Sequence, residues 1–548
     1  MFPLKKAIRK AVAAGMSAAI IVSVLSSCSS GYNEERQTLH EELYGNVAIP
    51  TTSAADVTIY EATTRNFTLA YSKTDSLNPY KSKSTLNAAV SNLIYDKLFV
   101  LDSNFDIEYT IAKDIKQDGK EIVVTLKPGI VFSDGTPVEP EDIGYSYVQA
   151  KKSGTKYETQ LANFRGYSSK GATITFVIKE NDPMAHRLLD IPIIKRGTDR
   201  NNAMPVGSGR YVYLNDVDHG MYLQRNEKWY NKSKPLIERI SLSAMPTIES
   251  IVHSIEIGTI SYYYTDLRDG YPSRINADSS IVDINNLIYM GINTADSRLA
   301  NFKLRRGLSL ALDRMEIASK AYGGRALPAT GPITSSWATV ADAQSGSPTS
   351  DSEGAKYEFD SSGFVNADEN GIRYDSQSKK LEFSILVCKE NQFHMSTAEA
   401  VSDQLSLMGI STVIYSVPFE EFKTRLKEGK YQLYISEYAV ENNMDISKLF
   451  LSKHGLYYGP LPAMTVNAYN EYLAGRAELT AVIDAFNEEL PFIPICYRLG
   501  MVCYTRSLSA AVDVSESDPF LGMERWESTA TVAEQEDSSS AESTESAE

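Results

Sequence analysis

Residues 381–436 read LEFSILVCKENQFHMSTAEAVSDQLSLMGISTVIYSVPFEEFKTRLKEGKYQLYIS, and along them the apolar spacing switches between periods of about 2 and about 3.6. Residues 381–388 form a compact apolar run of strand character. Ser396 then offers an N-cap with Glu399 three residues on, the pattern of a capping box. Ala398, Val401, Leu405 and Met408 follow at helical spacing, and Gly409 sits where a C-cap belongs. Residues 411–417 are β-branched and strand-like. Phe419, Phe422 and Leu426 mark one face of a second helix closed by Gly429, and 431–436 returns to strand. Strand, helix, strand, helix, strand predicts a parallel sheet. Open parallel sheets bind ligands beyond the carboxyl ends of their strands, so the segment after Ser436 is the first place to look for a site.

Outward from this stretch, 121–126 reads as a strand, 133–137 as a turn, and 304–322 as one long helix with Leu304, Leu308, Ala311, Leu312 and Met315 on a single face. Residues 338–380 are rich in Ser, Gly and Asp, which predicts surface loops.

The ends differ from the middle. Lys5, Lys6, Arg9 and Lys10 precede an apolar run at 11–25, then Ser26, Ser27 and Cys28, the layout of a secretory signal. The run falls short of the roughly 20 apolar residues that span a bilayer. Residues 29–56 are polar and mixed in charge, a tether; from 528 to 548 the chain is almost wholly Ser, Thr, Ala and Glu, a composition expected to stay disordered. The intervening 57–527 is long enough for roughly three domain-sized units. The formal net charge of −16 argues against nucleic acid as a partner. Beyond Cys28 stand only Cys388, Cys496 and Cys503, an odd number without metal-type spacing, so buried free thiols are expected.

Several fragments together resemble the family 5 extracellular solute-binding proteins, the peptide and nickel receptor class of ABC importers. The strongest is LKPGIVFSDGTPVEPEDIGYS at 126–146, whose Asp134, Gly135, Thr136 and Pro137 are identical to the family's DGTP turn. In family order stand DSLNP at 75–79, PVGSGRY at 205–211, LQRNEKWY at 223–230, YMGIN at 289–293 with LRRGLSLALDR at 304–314, and PFIP at 491–494. The resemblance covers 57–527. It implies an α/β, two-lobed periplasmic-binding-protein-like fold of type II, in the large three-subdomain form, closing on a ligand held between the lobes. By position, 57–84, 195–288 and 490–527 would make lobe I, 85–194 a subdomain inserted into it, and 289–489 lobe II. Leu25, Ser26, Ser27 and Cys28 resemble a bacterial lipobox, which implies a lipid-anchored Cys28 on the outer face of the cytoplasmic membrane; two or more acyl chains hold a protein there stably. The implied partners are a peptide ligand and ABC permease subunits, with the protein a monomer. A nickel chelate, haem or an oligosaccharide are other ligands of such receptors, and a sensor without transport is a further role.

Over 429–449 the chain aligns without a gap to the peptide receptors of this family. Their tryptophan after the strand falls on Tyr438, and the aspartate that pairs with the peptide α-ammonium falls on Glu441, one methylene longer. The proline that follows falls on Asp445, a second candidate anchor. Phe419 falls near another cleft tryptophan and could stack on ligand or lie in the core. Of Tyr262, Tyr263 and Tyr264, which follow a family strand with Ser261 in place of its aspartate, strand alternation lets at least one miss the cleft; Tyr263 is the candidate. Trp337, in a loop after Gly331 and Pro332, is a further aromatic candidate. His394 could touch a chelated metal or be an exposed loop histidine. Asn366, Asp368, Asn370 and Gly371 mimic the start of a calcium loop, but Gln377 stands where a bidentate glutamate belongs. Gly207, Ser208 and Gly209 match neither GxSxG nor a dinucleotide loop, and no Walker A is present. No catalytic residue, cofactor or metal is expected.

Overall fold

The computed structural model describes residues 67–200, 203–268, 275–344, 350–451, 456–506, 508–509, 512 and 514–528. The secretory signal, Cys28, the tether and the acidic tail beyond 528 lie outside the described residues.

One 11-stranded sheet runs through the molecule. Its order is Ser411–Val417, Glu382–Cys388, Leu433–Ala439, Asp278–Ile292, Phe492–Tyr504, Tyr262–Thr265, Phe67–Tyr71, Arg239–Ala244, Gly220–Arg225 and Tyr211–Asp216, with Ala326–Pro328 added beside Phe492–Tyr504. The strands of the opening stretch, Glu382–Cys388, Ser411–Val417 and Leu433–Ala439, are parallel to one another, as the βαβαβ pattern predicts. Two long antiparallel strands, Asp278–Ile292 and Phe492–Tyr504, join this half of the sheet to the other half. Their register shifts between Asp283 and Asn286, where the pairing passes from one half to the other. That is the two-lobed binding-protein architecture: two α/β halves linked by crossing strands. A separate antiparallel sheet, ordered Ala112–Asp118, Glu121–Leu126, Thr173–Ile178 and Phe164–Lys170, packs with the helix Pro140–Ala150.

Local chemistry explains these elements. At the DGTP turn Gly135 takes φ +90°, the Phe132 N–H donates to the Thr136 carbonyl at 2.8 Å, and the Asp134 carboxylate accepts from the Thr136 N–H and hydroxyl. Gly409 and Gly429 end their helices at φ +79° and +65°, a conformation that costs a residue with a Cβ.

Three expectations are corrected. The helix of the opening stretch starts at Gln392, not after Ser396, because Asn391 is the cap and accepts from the His394 N–H at 3.0 Å. The added turn stacks Phe393 on Tyr322 at 5.3 Å and buries His394. The long helix 304–322 is two helices, Phe302–Leu310 and Arg314–Tyr322. Asp313 caps the second, accepting from the Glu316 N–H, while Arg314 donates to the carbonyls of Ser309 and Pro494 and so occupies the end of the first. Across this break the apolar face loses phase: Leu304, Leu308 and Leu312 are fully buried but Met315 is exposed. Residues 338–380 are not all loop, since they contain the helices Ala338–Gln344 and Ser352–Ser361, the latter packed by Phe359 against Gly307.

Among the described residues no helix is long and apolar enough to cross a membrane. Cys388, Cys496 and Cys503 are buried free thiols.

Candidate functional site

The strand Leu433–Ala439 runs three residues further than the sequence pattern suggests, so Tyr438 lies on it, opposite Leu287. The chain leaves the sheet where the Val440 N–H donates to the Asn285 carbonyl at 2.8 Å, then turns sharply, with the Met444 N–H returning to the Glu441 carbonyl and Met444 at φ +58°. This turn is where the two candidate carboxylates part ways. Asp445 is committed to structure: its carboxylate accepts from the Ser447 N–H at 2.8 Å and from the Tyr469 hydroxyl at 3.0 Å, and its carbonyl accepts from the Tyr438 hydroxyl. The partly buried Glu441 carboxylate makes no hydrogen bond or ion pair among the described residues. Burial pushes its pKa up; Lys448 opposes, and Asp445, Asp182 and Asp190 add to the rise. A desolvated carboxylate without a partner is electrostatically suited to receive a cation.

The turn that carries Glu441 is gripped from a distant part of the chain. The Arg187 guanidinium donates from Nε to the Asn442 carbonyl at 2.7 Å and from Nη2 to the Phe105 carbonyl, and lies 5.0 Å above the Trp337 ring. Asn443 Nδ2 donates to Asp182 Oδ2 at 2.8 Å. Trp337 is therefore buried beside this turn as the platform for Arg187.

Charges also gather at the crossing strands. Lys156, on the short helix Lys156–Gln160, lies over the Tyr157 ring at 5.4 Å, and Glu516 keeps exposed surface. Glu516 Oε2 accepts from the Asn285 N–H at 3.3 Å, at the bulge of the crossing strands, and burial pushes its pKa up against the pull of Lys156. Tyr264, partly buried, lies within the fields of Glu516 and Asp266. At the same crossing the buried Arg498 meets Glu437 at 3.4 Å, and Asn286 and His394 also approach that Glu437 oxygen.

The other sequence candidates fall elsewhere. Tyr263 points away from Tyr262 and Tyr264 into an apolar cluster with Ile251, Ile255 and Met501, so alternation puts it in the core and leaves Tyr264 on the charged side. Phe419 is exposed at the start of its helix, under Lys423 at 4.8 Å, while Phe422 and Leu426 supply the buried face. His394 is not an exposed loop residue: it is buried, and burial holds its pKa down at about 4, with Glu437 opposing. Asp368 serves a turn, accepting from the Asn370 and Ile372 N–H groups and pairing with Lys380. Among the described residues no three His, Cys, Asp or Glu side chains group as metal ligands. Gly207 and Gly209 lie against the Ile94 backbone, where a Cβ would collide, so that loop is a packing device. Arg187 and Glu516 escaped the sequence reading because nothing local marks them; their partners, Asn442 and Asn285, are remote in the chain.

The molecule thus presents two α/β halves joined by crossing strands, with the Glu441 carboxylate unpaired just past a parallel strand. The model of the bacterial extracellular solute-binding proteins, family 5, matches residues 106–455, and the chain belongs to that family. The oligopeptide-binding protein AppA of Bacillus subtilis (strain 168) is 23% identical over 361 residues, 61% of this chain and 65% of AppA. The glutathione-binding protein GsiB of Escherichia coli (strain K12) is 23% identical over 295 residues, 50% of this chain and 56% of GsiB. The matches thus span less than two thirds of these relatives' lengths. The fold is shared with AppA of Bacillus subtilis in complex with a nonapeptide (TM-score 0.55, 17% identity, 85% of this chain and 99% of that one). It is also shared with NikA of Brucella suis in complex with Fe(III)-EDTA (TM-score 0.65, 15% identity, 84% and 100%). An ABC transporter substrate-binding protein of Sinorhizobium meliloti has it too (TM-score 0.67, 19% identity, 83% and 99%).

Proposed function

We propose that this protein captures a peptide outside the cell, holds its α-ammonium on Glu441, and delivers it to an ABC importer while anchored to the membrane through a lipidated Cys28. The observation that carries the reading is the Glu441 carboxylate, partly buried and unpaired just past the carboxyl end of a parallel strand. Asp445 is the weaker anchor, since its carboxylate already accepts two hydrogen bonds. The names of the relatives, an oligopeptide-binding protein and a glutathione-binding protein, support a peptide over other solutes. No chemical step is required of such a receptor, and we assign no catalytic residue.

Glu441→Gln removes the charge and nearly keeps the shape. Truncating one partner of a buried charge pair costs about 2–5 kcal/mol, a loss of roughly 30-fold to several thousand-fold in affinity. Titration calorimetry on a peptide identified by mass spectrometry of the purified protein's bound material should show that loss. An N-acetylated copy of the peptide, lacking the ammonium, should bind both proteins alike. Equal affinity of the two proteins for the free peptide would remove Glu441 as the anchor.

A further inference from the structure

We propose that Arg498 is a pin through the crossing strands: its guanidinium ties the carboxyl end of the strand Leu433–Ala439 to the opposite half of the molecule, so that a movement at either end is transmitted to the other. Its place is set by the strand pairing. Where 278–283 pair with 499–504, the two long strands are flanked by Tyr262–Thr265. From Asn286 and Arg498 onward they are flanked instead by Leu433–Ala439 and Ala326–Pro328. Arg498, opposite Asn286, is the first residue of its strand past the register shift. Its side chain is almost wholly buried and serves both halves. Nη1 donates to the carbonyl of Asp266, one residue past the strand Tyr262–Thr265, and Nε lies 3.4 Å from Glu437 Oε2. A guanidinium is planar and rigid, so a change of angle between the halves must stretch one contact or the other. Glu437 cannot simply swing to follow, because Asn286 Nδ2 at 3.4 Å and His394 Nε2 at 3.9 Å hold the same oxygen.

A strained turn presents the Asp266 carbonyl. Leu267, buried beside it, takes φ +57°, a conformation unfavourable for a residue with a Cβ that persists where the surroundings impose it. The Leu267 N–H donates to Thr265 Oγ1 and the Arg268 N–H to Asp266 Oδ1, both at 3.1 Å. At the other end Glu437 stands four residues before Glu441. The junction between them is short of partners: Arg498 Nη2, Asn285 Oδ1, Asn286 Oδ1 and His394 Nδ1 are buried without a hydrogen-bond partner among the described residues. A fully satisfied polar core resists rearrangement, whereas one with spare donors and acceptors can exchange partners as the halves turn. A rigid link within an incompletely satisfied junction suits a hinge. This role does not depend on which ligand the protein takes.

The test is amide hydrogen exchange, read by mass spectrometry on the full-length protein, on Glu437→Gln, on Arg498→Met and on the double variant. The decisive segment is 262–267, with which Glu437 makes no hydrogen bond or ion pair among the described residues. Through the pin, Glu437→Gln should quicken exchange there about tenfold, with Thr173–Ile178 in the separate sheet unchanged. Arg498→Met should have the same effect by removing the pin itself, and adding Glu437→Gln to it should change nothing more at 262–267. Arg498→Lys keeps the charge but lacks the fork that holds both partners, so it should not restore slow exchange. Unchanged exchange at 262–267 in Glu437→Gln would overturn the proposal and reduce Arg498 to a residue that fills the junction. Additive effects in the double variant, or equal quickening of Thr173–Ile178, would overturn it too. The Glu437→Gln result decides alone if the Arg498 variants do not fold.

Discussion

Replacing Asp96 by Asn should stabilise this protein at alkaline pH and leave it nearly unchanged in acid. Asp96 is buried with one carboxylate oxygen, Oδ2, unpartnered, while the other accepts a long bond from the Trp229 indole at 3.4 Å. The cation beside it, Arg210, is already taken by Asp518 at 2.7 Å and Glu524 at 3.9 Å. Burial therefore lifts the Asp96 pKa from 3.8 to about 7 despite Arg210 and Trp229, with Asp518 adding to the rise. A carboxyl whose folded pKa exceeds its unfolded value binds more protons when folded. Stability then falls as pH rises through the window between about 4 and 7, and is level above it. At about 1.4 kcal/mol per pKa unit, the ionisation cost is roughly 1.7 kcal/mol at pH 5 and about 4 kcal/mol at pH 8. Asn carries no such cost and keeps the acceptor for Trp229. The variant's advantage in urea denaturation should thus grow by about 2–3 kcal/mol from pH 5 to pH 8. Comparing two pH values cancels any packing change, which does not depend on pH. An advantage that is the same at both would refute the raised pKa and the orphaned-oxygen argument behind it.

Two further outcomes are expected. Arg187→Ala leaves the carbonyls of Asn442 and Phe105 without their donor, about 1–3 kcal/mol for each buried acceptor, so amide exchange across 440–445 should quicken tenfold or more; the same variant should lose the fall in radius of gyration that small-angle scattering is expected to record when ligand closes the lobes. Unchanged exchange would mean that Arg187 does not hold the turn. Cys28→Ser should move the protein from the membrane to the soluble fraction, and a variant as membrane-bound as the parent would rule out the lipid anchor.

The parallel strands around 381–439 were legible because each helix–strand alternation is written in side chains a few residues apart, and Gly409 and Gly429 mark the ends with conformations that favour glycine. The DGTP turn was legible for the same reason, its hydrogen bonds closing within five residues. Local signals misled where two caps competed: Ser396 carried a good pattern, but Asn391 stood one turn earlier and the stacking of Phe393 on distant Tyr322 accompanies that longer helix. The break at Asp313 likewise depends on Arg314 reaching Pro494, 180 positions away.

Glu441, Tyr438 and Asp445 were recognisable as a group from the sequence, whereas their different roles were not. Nothing in the order of residues says that Tyr469 and Ser447 would occupy Asp445 and leave Glu441 free. Nor does it say that Arg187 would clasp Asn442 across 255 positions. Periodicity and capping are short-range and survive in the sequence as pattern. Which charge is paired and which is left open is settled only when remote segments pack, because burial makes each unpaired group costly and the packing decides where its partner can be.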